Sequence, residues 1–218
     1  MEIKELVKHK AYDRIFELAG RNRNNFYKLF HDNFEGFMSM NCGGSTVLNY
    51  IEAYRNIEYN SSILDVGCGN GAFLSFILSK GFAGKYIGFD SVKEYITAAK
   101  EVRQYENAEF FNGDMLTFDY SKVDVIIFNS VFSIQNDNAS VTEIIKKVLP
   151  FFSDKIIITG LKLDSPTVEK YKPFSYFKKG NLVDHIEHDI PEAYIQSCQQ
   201  YANHLFSLTI KKKESEKI

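Results

Sequence analysis

Between Ile63 and Leu78 the chain passes through three kinds of sequence in quick succession. A short apolar stretch, Ile63-Leu64-Asp65-Val66, runs into glycines at alternate positions, Gly67-Cys68-Gly69-Asn70-Gly71. Apolar residues at helical spacing follow at Phe73, Leu74, Ile77 and Leu78. A buried strand must therefore leave its sheet through a tight turn and enter a helix at once. Glycines in such a turn let a ligand approach the backbone, and the helix beyond presents unpaired amides. The GxGxG string alone is a weak signal. Gly67, Gly69 and Ala72 also satisfy the looser dinucleotide-binding pattern, with Asp90 about 20 residues further on as a ribose acid.

The alternation continues downstream. Tyr86–Phe89 reads as a second strand ended by Asp90, and Ser91 to Glu94 as a capping box opening a helix. Glu109–Phe111 is a third strand, and Val123–Phe128 a fourth, apolar enough to be central. Ser140 to Glu143 is a second capping box, and Lys155–Thr159 a fifth strand. Strands alternating with helices predict a parallel sheet with right-handed crossovers. Before it, residues 1–60 read as a helical cap, with one helix from about Asn25 to Phe37 and another opened by Ser45. The Ser45 helix is expected to turn Val47, Leu48, Ile51 and Tyr54 inward. After the sheet, Ser165 to Gly180 is polar and aromatic and reads as a loop or lid, and the segment 161–190 is expected to join the N-terminal helices in forming the lid and acceptor pocket. Pro191 is expected to open a helix running to about Ala202, and Leu205–Ile210 a final strand. The expected organisation is one domain over 1–218: a cap (1–60), a cofactor-binding core (61–160), then a lid segment and C-terminal strands (161–218).

Composition narrows the function classes. A formal net charge of −2 gives no general attraction to nucleic acid or anionic membrane. Three widely spaced cysteines, Cys42, Cys68 and Cys198, argue against a disulfide framework and a zinc site. No apolar stretch approaches the roughly 20 residues of a membrane span, and the charged N-terminus lacks a signal-peptide core. A cytoplasmic protein is expected.

Asp65 bears on the choice of ligand. A carboxylate just before the first glycine adds charge beside a pyrophosphate, but suits a ligand with an ammonium and a sulfonium group. An acid in an otherwise apolar strand also needs a partner.

With these residues in view, the chain resembles the class I S-adenosylmethionine-dependent methyltransferases. Ile63 to Gly71 resembles that family's first motif, in which Asp65, Gly67, Cys68, Gly69 and Gly71 would line the cofactor. Gly88-Phe89-Asp90-Ser91 resembles the second-strand motif, whose acid holds the ribose hydroxyls, with Ser91 a direct ligand or a helix cap. Asn112-Gly113-Asp114-Met115 resembles the third-strand end, where the acid accepts from the adenine amino group and the next residue packs on the ring. Asn129-Ser130-Val131-Phe132 falls where the fourth strand lines the methionine portion. The resemblance implies an α/β, doubly wound, mostly parallel seven-stranded sheet of Rossmann-like methyltransferase type, with S-adenosyl-L-methionine as cofactor and S-adenosyl-L-homocysteine as product.

The catalytic side is less defined. Many family members acting on small molecules carry a histidine soon after the fourth strand, and here Ser133-Ile134-Gln135 stand instead. His31 in the cap and His185 in the C-terminal segment are the substitute candidates for a base, and His188 is a further one. Amino-directed nucleic-acid methyltransferases carry an Asn/Asp-Pro-Pro-aromatic motif, which Ser130 and Val131 break. A small-molecule acceptor, methylated on oxygen or next on nitrogen, is therefore expected. Phe26, Tyr27, Phe30, Tyr171, Phe174 and Tyr176 would shape its pocket, and Lys172, Lys178 and Lys179 would suit an anionic or sugar-like acceptor. Two other readings remain at this stage: a nicotinamide-dependent oxidoreductase using the same turn, and a binding module that lost catalysis.

Overall fold

The apolar runs of the alternating half become strands, the central β1 and β4 covered on both faces, and their pairing sets where a ligand can sit. The computed structural model describes Arg14, residues 17–18, 44–102, 105–134, 138–162, 179–202 and 205–213. In chain order the elements are α1 (Gly44–Tyr54), β1 (Ile63–Val66), α2 (Ala72–Leu78), β2 (Tyr86–Asp90), α3 (Lys93–Val102), β3 (Ala108–Asn112) and β4 (Val123–Asn129). A 3-10 turn (Val131–Ile134), α4 (Asn138–Val148), a second 3-10 turn (Leu149–Phe151), β5 (Phe152–Lys162), α5 (Lys179–Asp189), β6 (Ala193–Ala202) and β7 (Leu205–Lys212) complete the order.

The strands form one seven-stranded sheet in the order β3-β2-β1-β4-β5-β7-β6. β3, β2, β1, β4 and β5 pair in parallel, and β7 pairs antiparallel with both β5 and β6. The order reverses between β1 and β4, so the crevice for a ligand opens outside their carboxyl ends.

Side chains alternate across the sheet and divide the core in two. Leu64, Phe89, Ile126, Phe128 and Ile158 face α4 and α5, meeting Val141, Ile145, Leu182 and Ile186. Ile63, Tyr86, Val125, Ile127 and Ile157 face α1, α2 and α3, meeting Tyr50, Ala53, Phe73, Ile77 and Ile96. Each fully buried Leu, Ile or Phe contributes roughly 1.5–3 kcal/mol of transfer free energy.

Four expectations need correction. The helix expected from Pro191 to Ala202 is the edge strand β6, paired along its length with β7. Its Gln, Ser and Cys residues show no strong period, so pairing with β7 decides the conformation. The lid expected over 161–190 is interrupted. Leu161 and Lys162 finish β5, and residues 179–189 form α5, whose Leu182 and Ile186 lie in the core. The third concerns α1. Leu48 and Ile51 are exposed (42% and 41%), while Asn49, Tyr50, Glu52 and Ala53 are buried. The inward polar residues are satisfied: Ser207 donates to Glu52 Oε1 at 2.8 Å, and Asn49 bonds as described below. α4 also begins at Asn138, two residues before the expected capping box. The expected helix over 25–37 lies outside the described residues.

Candidate active site

The turn leaving β1 is tied to its neighbour by backbone bonds. Gly67 N–H and Cys68 N–H both donate to the Phe89 carbonyl, at 2.8 and 3.0 Å. Gly67 and Gly69 have φ of +72° and +55°, a region that L side chains enter at a cost. Their surroundings differ. A Cβ on Gly67 would lie 2.7 Å from Val131 Cγ2, whereas a Cβ on Gly69 would meet no described residue within 4 Å. The first glycine is required by packing, and the second leaves an open cradle. Cys68 is buried, and burial pushes its thiol further up, so it stays protonated and unreactive.

Three carboxylates lie along β1, β2 and the turn after β3. Asp90 closes the glycine turn: its Oδ2 accepts from Gly69 N–H at 3.0 Å and its Oδ1 from Val92 N–H at 2.9 Å. Burial raises its pKa, and the backbone N–H groups oppose the rise. An ionised carboxylate has about four acceptor sites, so ligand hydroxyls can share these oxygens. Ser91 lies exposed beside it. Asn112 Nδ2 and Gly113 N–H donate to the Asp90 carbonyl at 2.9 and 3.0 Å, tying the β3 end to the β2 end. Asp114 is exposed, with Oδ1 accepting from Leu116 N–H at 2.8 Å. Met115 is half-buried, and its carbonyl accepts from Tyr120 at 2.7 Å. Beneath this loop Phe118 stacks on Phe89, with ring centres 3.9 Å apart.

Asp65 differs from the other two. It is 1% exposed, and Tyr86 Oη donates to its Oδ2. Its Oδ1 is buried with no hydrogen-bond partner among the described residues. Desolvation raises its pKa from 3.8 to about 7, the Tyr86 bond opposing and Asp90 adding to the rise. A buried carboxylate oxygen with no donor is a costly arrangement unless a ligand supplies one.

The β4 end carries a second polar cluster. Thr159 Oγ1 donates to Asn129 Oδ1 at 2.8 Å, and Ser130 N–H donates to the Thr159 carbonyl at 3.0 Å. Asn49 Nδ2 donates to Ser130 Oγ at 2.6 Å, and Tyr201 Oη donates to Asn49 Oδ1 at 2.6 Å. Gly160 N–H donates to Tyr201 Oη at 2.7 Å. Burial pushes the Tyr201 phenol up, so its proton stays on oxygen. Sequence reasoning found Asn129 and Ser130 but missed Asn49 and Tyr201, which carry no motif.

The structure thus gathers Asp65, Gly67, Cys68, Gly69, Gly71, Asp90, Ser91, Asp114, Met115, Asn129 and Ser130 at the carboxyl ends of neighbouring strands. It does not bring His185 there. His185 lies in the second half of α5, with Nε2 3.2 Å from Asp189 Oδ2 but without hydrogen-bond alignment. That end of α5 leads into the start of β6, which pairs with the end of β7 at the opposite, amino-terminal edge of the parallel strands. His188 is 88% exposed and bonds Asp189 at 2.8 Å. His31, Gln135, Lys172, Lys178 and the six expected pocket aromatics lie outside the described residues. Lys179 opens α5.

A protein-family model described as a methyltransferase domain matches residues 57–213. The chain belongs to the methyltransferase domain family. It is a class I methyltransferase, and its cofactor is S-adenosylmethionine. Solved methyltransferase structures share its fold. One is the Burkholderia thailandensis 1,6-didemethyltoxoflavin-N1-methyltransferase with 1,6-didemethyltoxoflavin and S-adenosylhomocysteine bound. It is 16% identical with a TM-score of 0.65, covering 91% of this chain and 90% of that one. The mitomycin 7-O-methyltransferase is 13% identical with a TM-score of 0.68, covering 91% of this chain but only 60% of its own. Magnesium protoporphyrin IX methyltransferase from Synechocystis PCC 6803, with S-adenosylhomocysteine bound, is 14% identical with a TM-score of 0.58, covering 77% and 81%. No curated protein matches the sequence. Among the described residues of this methyltransferase, no helix is long and apolar enough to cross a membrane.

Proposed function

We propose that this methyltransferase alkylates an oxygen, or next a nitrogen, of a small molecule in the cytoplasm. In this reading Asp65, Gly67, Cys68, Gly69, Gly71, Asp90, Ser91, Asp114, Met115, Asn129 and Ser130 form the cofactor site. The observation that carries it is the donorless, buried Oδ1 of Asp65 beside the open cradle at Gly69. An ammonium group answers the first, and a ligand backbone without bulk answers the second. Asp90 would accept from ribose hydroxyls and Asp114 from the adenine amino group, with Met115 against the ring. S-adenosylmethionine supplies an electrophilic methyl on a sulfonium. The protein holds the acceptor in line, about 3 Å from that methyl, and excludes water.

The β4 end supports the small-molecule class. Ser130 has φ +63° and donates its N–H to Thr159. Proline fixes φ near −65° and has no N–H, so the Pro-Pro motif of amino-directed nucleic-acid enzymes has no place in this conformation. Among solved structures of the same fold, enzymes named 1,6-didemethyltoxoflavin-N1-methyltransferase and mitomycin 7-O-methyltransferase favour the same class. In this proposal the stretch before α1 and the stretch between β5 and α5, both largely outside the described residues, supply the acceptor pocket. His31 is its candidate base on sequence grounds.

Calorimetry with S-adenosylhomocysteine and NADH tests the donor: the first is expected to bind and the second not. Release of S-adenosylhomocysteine from S-adenosylmethionine, assayed over a panel of hydroxylated and amino acceptors and a nucleic-acid control, tests the acceptor. Turnover with the nucleic acid alone overturns the small-molecule reading.

A further inference from the structure

Among the described residues, Ser130 is the one non-glycine residue with positive φ, at +63°. It follows β4, the strand paired directly with β1 in the register Val66↔Phe128. Ser130 therefore lies beside the glycine turn. The next residue, Val131, packs against Gly67, where a Cβ would come within 2.7 Å of its methyl. The left-handed turn at Ser130 thus aims Val131 at the glycine loop. A serine has no intrinsic preference for that conformation. Its Oγ accepts from Asn49 Nδ2, Asn49 Oδ1 accepts from Tyr201 Oη, and Tyr201 Oη accepts from Gly160 N–H. Gly160 is itself left-handed, at φ +73°, in the irregular stretch of β5 between Ile158 and Leu161. A side chain there would strike Ser130 Oγ at 2.4 Å. The four groups come from α1, the turn after β4, β5 and β6, and they close on one backbone turn.

We propose that Tyr201 and Asn49 are positioning residues. Through Ser130 they hold the β4 end in its left-handed turn and so shape the part of the site that takes the methionine arm of the cofactor, not its adenosine. This rests on the methyl-transfer reading above. With Asp114 after β3 and Asp90 at β2 taking adenine and ribose, the amino-acid end of the ligand extends over β1 and β4. The relay touches that end alone. Neither Tyr201 nor Asn49 bonds to Asp90, Asp114 or their loops in the interactions described.

Two probes separate the ends of the site: S-adenosylhomocysteine, and 5′-methylthioadenosine, which lacks the amino-acid arm. Both are titrated by calorimetry into the full-length protein and its Tyr201→Phe and Asn49→Ser variants. Each variant is expected to bind S-adenosylhomocysteine about 5- to 10-fold more weakly and 5′-methylthioadenosine within about twofold of the parent. Equal weakening of both probes overturns the proposal, as does no weakening of either. If both single variants lose their cooperative melting transition, the cluster is a structural tie and the proposal falls. A parent protein that binds 5′-methylthioadenosine and S-adenosylhomocysteine equally well also refutes it. A parent that binds neither refutes the methyl-transfer reading instead.

Discussion

If an ammonium group answers the donorless oxygen of Asp65, cofactor binding must release a proton near neutral pH. In the empty protein, burial raises the Asp65 pKa from 3.8 to about 7, with the Tyr86 hydroxyl opposing and the neighbouring Asp90 adding to the rise. At about 1.4 kcal/mol per factor of ten, ionising it there costs about 4 kcal/mol more than in water. The sign follows from proton binding. Between 3.8 and about 7 the native state keeps a proton that the unfolded chain has lost. The empty protein therefore loses stability as pH rises through that window, and the full contribution remains only below 3.8. A cationic ligand selects the ionised form. With a pKa of about 7 the ionised fraction falls about tenfold between pH 8 and 6, so S-adenosylhomocysteine affinity should fall about tenfold too, or about 1.4 kcal/mol. Calorimetry at several pH values, in buffers of different ionisation enthalpy, reads both the affinity and the released proton. Close to half a proton should leave at pH 7. Asp65→Asn keeps the shape, removes the titration and should flatten the profile at weaker binding. 5′-Methylthioadenosine, which has no ammonium, should show no such slope. A pH-independent S-adenosylhomocysteine affinity between pH 6 and 8, or an unchanged slope in Asp65→Asn, would refute the pairing.

Other perturbations have equally definite outcomes. Asp90→Ala should cost about 2–3 kcal/mol of S-adenosylhomocysteine binding, since charge-assisted bonds are lost; unchanged calorimetric affinity in a folded variant removes Asp90 from the site. At the amino edge of β1, Asp124 Oδ2 accepts from Ser62 N–H and Oγ, both at 2.8 Å. Chiefly the Ser62 N–H holds its carboxyl below the usual 3.8. That stability is present at neutral pH and is lost as pH falls through the lowered value. After solvent screening, Asp124→Ala should cost about 1 kcal/mol in urea melts at pH 7 and less in acid. On α1, Ile51→Ser should change stability by less than about 0.5 kcal/mol, whereas Glu52→Ala, which leaves Ser207 Oγ only the Gln199 carbonyl at 3.5 Å, should cost about 1–3 kcal/mol. The reverse ranking in thermal melts would restore the apolar face as the inward one.

Much of the sheet is legible in the chain itself. Runs such as Ile63–Val66 and Val123–Phe128 are too apolar and too short to be anything but buried strands once Gly67 and Asn129 end them, and helical spacing fills the intervals. A parallel sheet collects its ligand groups at strand ends, so the same punctuation pointed to Asp65 and Asp90, while Asp114 and Ser130 were marked by the resemblance to class I methyltransferases. Local sequence specified these features because each depends on residues a few positions apart. The tertiary structure decided the rest. Only pairing with β7 makes 193–202 a strand, since an edge strand with one face in solvent needs no strong hydrophobic period. Only partners far along the chain turn Asn49 and Glu52 inward and leave Leu48 and Ile51 outside. Hydrophobic periodicity assumes that polar groups seek water, and that assumption fails where Tyr201, 152 positions from Asn49, and Ser207, 155 from Glu52, supply the hydrogen bonds in its place.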